Sequence, residues 1–201
     1  MEEIANEIRR GIAAIAEKFQ ELSDHEKYDF EKRIVFELAK EKSLWISDLY
    51  SLGKPTQAGG YENTLAIDES NNIVYKSNNL FNSNHSVLVL LEQIQLHNKL
   101  FPETKYDLVG FTGIDNGNKH APYIEVILKQ DFIKDADQAT PDEIDIYMKS
   151  LGFKKIEEAK YVNNDYVIHD LYPRNVLKDV NNTIYVVDDI VRLNKLDGSF
   201  A

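Results

Sequence analysis

The chain has 201 residues and no cysteine, and its 23 Lys and Arg face 34 Asp and Glu, for a net charge of −11. The missing cysteine excludes disulfides, thiolate metal sites and cysteine nucleophiles, and the acidic balance argues against general nucleic-acid binding, which needs cations to neutralise phosphates. The N-terminus lacks the apolar core of a signal peptide, and no run approaches the ~18 apolar residues of a membrane span. We therefore expect a cytoplasmic protein without a membrane segment.

The first quarter of the chain has helical periodicity. Apolar residues recur every three or four positions from Ile4 to Leu22 and again from Tyr28 to Leu38. This spacing predicts two helices over residues 3–42, followed by a third, short helix that ends at Gly53. Because each apolar stripe must be buried, we predict that residues 1–52 form an N-terminal helical segment packed on the domain.

Beyond Gly53 the pattern changes to hairpins that alternate with helices. Turn residues inside β-rich runs predict hairpins over residues 65–76, 108–128 and 175–189, with a short strand over 166–168. Helices are predicted over 86–100 and from Thr140, followed by Pro141 and Glu143 as in a capping box, to Gly152. This order favours an α+β fold over a doubly wound parallel sheet, with residues 53–201 as one domain.

Three oxygen-bearing side chains near the C-terminus stand at chemically suggestive intervals. Asp170 lies on a loop, Asn175 opens the last predicted hairpin, and Asp188 closes it. Because a hairpin brings its two ends side by side, Asn175 and Asp188 should be neighbours, and Asp170 can face the same pocket. Two carboxylates and an amide oxygen form a hard, oxygen-only ligand set that suits Mg²⁺ better than Zn²⁺.

This stretch resembles the catalytic loop and metal-binding strand pair of the protein-kinase-like superfamily. The resemblance implies that Asp170 is the catalytic base, that Asn175 and Asp188 bind Mg²⁺, and that the substrate nucleotide is ATP. It also implies a minimal two-lobed kinase-like fold carrying an N-terminal helical extension.

The resemblance assigns further roles upstream. Gly59 and Gly60 are similar to a shortened phosphate-covering loop, although a tight turn explains two glycines equally well. Lys76, at the end of a strand, would hold the α- and β-phosphates, and Glu92 in the next helix would pair with Lys76 and aim its ammonium. Gln130 lies in the segment that takes the place of the adenine-binding hinge.

More narrowly, the chain resembles the kinase domain of polyvalent proteins carried by phages and conjugative elements. The resemblance covers residues 41–193. The segments that support it are GGYEN, VYKSNN and LHNKLFP, two Gly-Phe pairs, the ATPDEI helix start and the stretch that ends at Asp188. It implies a mobile genetic element as the source.

The sequence also departs from the superfamily pattern. His169 replaces the usual catalytic-loop Arg, and Asp189-Ile190 replaces Phe-Gly after Asp188. We expect Asp189 to be a surface acid or an extra metal ligand, and His97, like the other histidines outside the loop, to be a surface or capping residue. Because few residues follow Asp188, we expect no activation segment or substrate helices in this chain. The acceptor, which can be a protein, a small molecule or water, therefore stays open.

Three functions are compatible with these observations. An ATP- and Mg²⁺-dependent phosphotransferase uses all the named residues. A pseudokinase that serves as a nucleotide-binding or protein-interaction module explains the shortened glycine loop. A metal-dependent phosphohydrolase on another fold uses the carboxylates but leaves Lys76 unexplained.

Overall fold

The computed structural model describes residues 1–56, 60–117 and 120–194. Its internal contacts divide the chain into two compact units. The first unit comprises Met1–Glu92 and Tyr106–Phe132, and the second comprises Gln93–Lys105 and Ile133–Ala201.

The first unit begins with three helices, where the periodicity predicted two. Helices α1 (Glu2–Ala13) and α2 (Ala16–Glu21) are separate because Ile15, at φ −126° and ψ 28°, leaves the helical region between them. Helix α3 (Asp24–Glu41) starts at a complete capping box of Ser23 and Glu26. The third predicted helix is only a 3₁₀ turn over Leu49–Ser51, started by Asp48, whose side chain accepts from the Tyr50 N–H.

The first unit also contains a five-stranded antiparallel sheet. Its strands are β1 (Lys54–Pro55), β2 (Asn63–Asp68), β3 (Ile73–Asn78), β4 (Asp107–Ile114) and β5 (Tyr123–Asp131). Their order is β1-β2-β3-β5-β4, so the two predicted hairpins, β2–β3 and β4–β5, lie side by side. The residues between α3 and β1 join the outer edge at β4, where Phe111 N–H donates to Leu44 O at 2.9 Å and Ile46 N–H donates to Phe111 O at 2.8 Å.

A close backbone approach explains the glycine beside Phe111. A Cβ on Gly110 would lie 2.3 Å from the Leu44 carbonyl oxygen, well inside any real contact. Only glycine therefore lets the segment after α3 reach the sheet edge. The first Gly-Phe pair of the family resemblance is a structural joint.

A buried carboxylate links α3 to helix α4 (Val87–Leu100). Glu31 is 6% exposed and accepts from the N–H groups of Val87 at 2.6 Å and Leu88 at 3.1 Å, and from the Ser86 hydroxyl. These are first-turn N–H groups that have no partner within the helix. Glu31 thus caps α4, and helix α3 is part of the first unit.

The second unit contains the C-terminal part of α4, helix α5 (Pro141–Ser150) and two antiparallel sheets. One sheet has the order β11-β10-β6, with β6 (Asp137–Gln138), β10 (Val176–Lys178) and β11 (Ile184–Val186). The other has the order β12-β9-β8-β7, with β7 (Lys154–Glu157), β8 (Lys160–Val162), β9 (Tyr166–His169) and β12 (Ile190–Leu193). The predicted α5 start is confirmed, because Thr140 and Glu143 form a capping box.

One apolar core organises this second unit. It combines residues of α4, α5 and both sheets, among them Phe101, Met148, Ile168, Val176 and Val191. Because β9 and β10 flank the Asp170 loop and both bury apolar side chains here, the core holds the two ends of that loop. The α+β class is confirmed, and no helix among the described residues is long and apolar enough to cross a membrane.

Candidate active site

Asp170 sits on a constrained turn directly after strand β9. Its φ of +65° lies in the left-handed region, which Asp tolerates better than most residues but which still carries strain. Arg174 donates to Asp170 Oδ1 at 2.7 Å, and Asn175 Nδ2 donates to Asp170 Oδ2 at 2.8 Å. The carboxylate is therefore held at both oxygens. The Arg174 contact was not predicted, although Asp170 and Arg174 lie in the same HDLYPRN segment.

The hairpin brings Asn175 and Asp188 together as its geometry predicts. The Asn175 carbonyl accepts from the Val187 N–H at 2.9 Å and from the Asp188 N–H at 3.4 Å, and Val176 pairs with Val186 in the adjoining ladder. Asn175 itself ends a 3₁₀ turn and β10 starts one residue later. Asp170, Asn175 and Asp188 thus lie at one end of the hairpin.

The electrostatics of this cluster reflect burial and a second carboxylate. Burial raises the pKa of Asp170 above its ordinary value, Arg174 lowers it, and the charge of Asp188 raises it again. His169, half-buried at the end of β9, has a pKa lowered mainly by burial. The field of Asp188 at Asp170 is the repulsion that a cation between two acids relieves.

The donor set fits a hard cation. Asn175 Nδ2 makes two hydrogen bonds to Asp170, to its backbone oxygen and its Oδ2, both at 2.8 Å. Because both bonds use the Nδ2 end of the amide, its Oδ1 is the atom of this side chain that could serve as a metal ligand. No group of three or more His, Asp or Glu side chains that could hold a metal occurs in the described ranges. A Mg²⁺ ion here would complete its shell with water and phosphate oxygens, as Mg²⁺ commonly does.

Lys76 occupies a buried position in the first unit. It is 6% exposed and pairs in the β-ladders with Leu65 and Leu128. Its Nζ donates to the Tyr106 hydroxyl at 2.5 Å and lies 4.7 Å from the centre of the Tyr106 ring. A desolvated ammonium is a strong ligand for an anion, so this position is chemically suited to phosphate binding.

The predicted pairing of Glu92 with Lys76 is absent from the contacts of these described residues. Glu92 Oε1 instead accepts from Arg9 at 2.8 Å, and the two side chains are 50% and 42% exposed. The physical reason is that Glu92 lies on the exposed side of α4 and faces α1. Sequence spacing along α4 gave no information about α1.

A residue that follows the two glycines contacts strand β3 and the turn after it. Gly59 lies outside the described residues, and Gly60 is exposed with open space around its Cα. Glu62 accepts from Asn78 Nδ2 at 3.1 Å and also from the Asn82 side chain. The GGYEN and VYKSNN segments of the resemblance are therefore bound to each other by a polar network.

Gln130 lies inside strand β5, although the predicted hairpin ended at residue 128. It pairs with Val74 of β3 and is 3% exposed. The β4 ladder begins at Asp107 opposite Lys129, so Gln130 is just past the end of that ladder. The strand continues to Asp131 because it pairs with β3, where Ile73 lies opposite Asp131.

Asp189 is not a surface acid. Its side chain is 1% exposed, as is that of His97, and His97 Nδ1 lies 2.6 Å from Asp189 Oδ1. The expectation that His97 is a surface or capping residue was also wrong. No local signal could have revealed this pair, because its members are far apart in the sequence.

Comparison with known proteins identifies the family. The model of the serine/threonine/tyrosine kinase found in polyvalent proteins matches residues 29–195. The chain therefore belongs to this kinase family, and the match begins inside α3 and includes Glu31. No curated protein and no solved structure matches the chain significantly.

Proposed function

We propose that the protein is an ATP- and Mg²⁺-dependent phosphotransferase. The observation that carries the proposal is the cluster of Asp170, Asn175 and Asp188 at the end of the β10–β11 hairpin, in a chain that belongs to a kinase family. Two-lobed kinase architecture and cytoplasmic location are part of the proposal. The acceptor is a hydroxyl of a protein or a small molecule.

The residues divide the chemistry as follows. Asp170 orients the acceptor hydroxyl and takes its proton while the hydroxyl oxygen bonds to the γ-phosphorus of ATP and the bond to the β–γ bridging oxygen breaks, releasing ADP. Asn175 and Asp188 hold Mg²⁺, which neutralises charge on the phosphates when bound. Lys76 binds phosphate oxygens, and the Gly59-Gly60 loop and the backbone around Gln130 contact phosphate and adenine.

Contacts of Asp170 support its role as a positioned base. Arg174 and Asn175 fix its two oxygens, so the carboxylate needs little reorganisation when the acceptor arrives. A group held this way catalyses by position, which is the main contribution that kinase residues make.

A thermal-shift titration with ATP and Mg²⁺, separately and together, tests the proposal, with mass spectrometry to detect phosphate transfer to the protein itself. We expect a stabilising shift only with both ligands. Asp188→Asn should weaken the Mg²⁺-dependent shift, because the metal site loses a charge. Asp170→Asn should bind nearly normally and lose turnover. If both variants bind and turn over like the wild type, the kinase assignment of these residues is wrong.

A pseudokinase is the second candidate, because the glycine loop is short and Asp189-Ile190 replaces Phe-Gly after Asp188. A kinase-like pocket with these departures can retain nucleotide and lose catalysis. Cooperative binding of ATP and Mg²⁺ without any phosphoryl transfer, over a panel of protein and small-molecule hydroxyls, would select this alternative.

A further inference from the structure

A buried pair of ionisable side chains stands directly beside the candidate metal ligand Asp188. His97 of α4 and Asp189 are joined by a 2.6 Å contact between Nδ1 and Oδ1, and each side chain is 1% exposed. The roles of Asp170, Asn175 and Asp188 in the proposed chemistry do not use either residue. Charged or strongly polar pairs are expensive to bury, so this one calls for an explanation beyond filling the core.

The second ring nitrogen of His97 defines the character of the pair. His97 Nε2 lies 2.9 Å from the backbone oxygen of Thr104, and a carbonyl only accepts hydrogen bonds. Nε2 therefore carries a hydrogen, and the short Nδ1–Oδ1 contact holds another between ring and carboxyl. A hydrogen bond this short is typical of charge-assisted pairs, whose donor and acceptor must keep a specific distance and direction.

Asp189 is anchored on both sides along the chain. On one side the N–H groups of Val187 and Asp188 donate to the Asn175 carbonyl, and on the other side Ile190 pairs with His169 in the β12–β9 ladder. Asp188 and Asp189 form the short link between these two ladders. His97 of α4 holds this link through its contact with Asp189.

Only one carboxylate oxygen of Asp189 takes part in the contact with His97. Among the described residues, no hydrogen-bond partner of Asp189 Oδ2 is found although the atom is buried. The carboxyl group therefore depends on His97 for its hydrogen bonding. A side chain whose satisfaction depends on one partner can take only one position without a large penalty, and Asp188, the next residue along the backbone, is fixed with it.

From this arrangement we infer that His97 and Asp189 are positioning residues for the metal site, which they serve by holding Asp188 in register with Asn175. The inference rests on the proposed function, because it assigns the pair a role in Mg²⁺ binding. Within the second unit, the same pair connects the C-terminal part of α4 to the Asp188 link.

The test measures Mn²⁺ affinity, by electron paramagnetic resonance of free Mn²⁺, in the presence of a saturating nonhydrolysable ATP analogue. The double variant His97→Leu/Asp189→Val removes the pair without leaving a buried charge. We expect it to stay folded and to bind Mn²⁺ at least tenfold more weakly. The conservative variant Asp189→Asn, whose amide can donate to a neutral His97 Nδ1, should recover most of the affinity.

Lys99→Met is the matched control on the same helix, since it removes a hydrogen bond from Lys99 to the Tyr166 hydroxyl and leaves the Asp188 link untouched. It should bind Mn²⁺ within about threefold of the wild type. A merely structural pair would lower the folded fraction of the double variant without changing the Mn²⁺ affinity of the folded molecules, and that result would overturn the inference.

Two outcomes separate this inference from the proposed function. Wild-type protein that binds no Mn²⁺ with nucleotide overturns the metal site itself and the inference with it, whereas a wild type that binds and a folded double variant that binds equally well overturn the inference alone. Should the double variant not fold, hydrogen exchange of the wild type decides. The Val187 amide must then exchange only through global unfolding. Exchange through local opening would contradict the inference that His97 and Asp189 hold Asp188 in register with Asn175.

Discussion

Two groups of candidate residues, one in each unit, differ in how far apart their members and contacts lie in the sequence. Asp170, Asn175 and Asp188 come from one loop and one hairpin, and their contacts follow from chain geometry. Lys76 is surrounded by residues from distant strands, and its hydroxyl partner Tyr106 was not foreseen. Contacts within one short stretch of sequence can therefore be predicted in detail, whereas contacts between distant segments can be predicted only in part.

The N-terminal helices provide the largest test of how much distant sequence contributes. Deleting residues 1–42 removes Glu31, the cap of α4, and Phe36, whose ring packs edge-on against Trp45 with centroids 5.0 Å apart. We expect insoluble or molten protein even though every proposed catalytic residue remains, because buried N–H groups and an apolar face become exposed. Near-ultraviolet circular dichroism and thermal unfolding measure the loss.

The contrary result would define the helices differently. A soluble, cooperatively folding 43–201 fragment that binds ATP would make residues 1–42 a partner-binding or dimerisation arm. Glu31→Ala, compared with Glu37→Ala at an exposed position of the same helix, narrows the cause. A large loss of stability in the first variant alone assigns the effect to the cap of α4.

Lys76 tests the less predictable of the two groups. Lys76→Ala should weaken ATP binding at least tenfold, or about 1.4 kcal/mol, because the chain carries a net charge of −11 and the triphosphate needs a local cation. Tyr106→Phe is the matched control, since it removes the hydroxyl that binds Lys76 and keeps the ammonium. Calorimetry that finds equal ATP affinity in Lys76→Ala and wild type would remove Lys76 from the site.

The same contrast explains which parts of the fold the sequence predicted. Hairpins and the α5 start were predicted because turn residues and the Thr140–Glu143 box act over a few residues. The break at Ile15 was missed because apolar periodicity runs through it. In the second unit β9, β10 and β11 were predicted, whereas β6, β7, β8 and β12 were missed because they are too short to show alternation. His97 with Asp189 required knowledge of the packing itself.

Burial of Glu31 predicts a pH dependence of stability. Burial raises the pKa of Glu31 above its ordinary value of 4.5, outweighing the lowering by hydrogen bonds from Leu88, Ser86 and Val87. As pH rises above that value, the unfolded chain releases the proton before the folded chain does. Folding stability attributable to Glu31 is therefore greatest below the ordinary pKa and falls until the pH passes the raised one.

Glu31→Gln removes this titration and keeps an amide oxygen to accept from Val87. Relative to wild type, the variant should gain stability between pH 4.5, the ordinary value, and neutral pH, as measured by urea unfolding at each pH. Glu37→Gln, exposed on the same helix, should keep the wild-type profile. A pH profile that is identical in wild type and Glu31→Gln would show that the burial of Glu31 has no energetic consequence.

The smallest effect is expected at Glu92, and it decides whether the predicted partner of Lys76 has any role. Glu92 and Arg9 are 50% and 42% exposed, and exposed ion pairs contribute roughly 0–1 kcal/mol. Glu92→Gln should therefore change the free energy of unfolding by less than about 1 kcal/mol and leave ATP affinity within about twofold, as should Arg9→Gln. If Glu92→Gln instead weakened ATP binding as much as Lys76→Ala while Arg9→Gln did not, Glu92 would exchange Arg9 for Lys76 when nucleotide binds. The surroundings of Lys76 would then be completed by the ligand, whereas Asp170, Asn175 and Asp188 are neighbours without one.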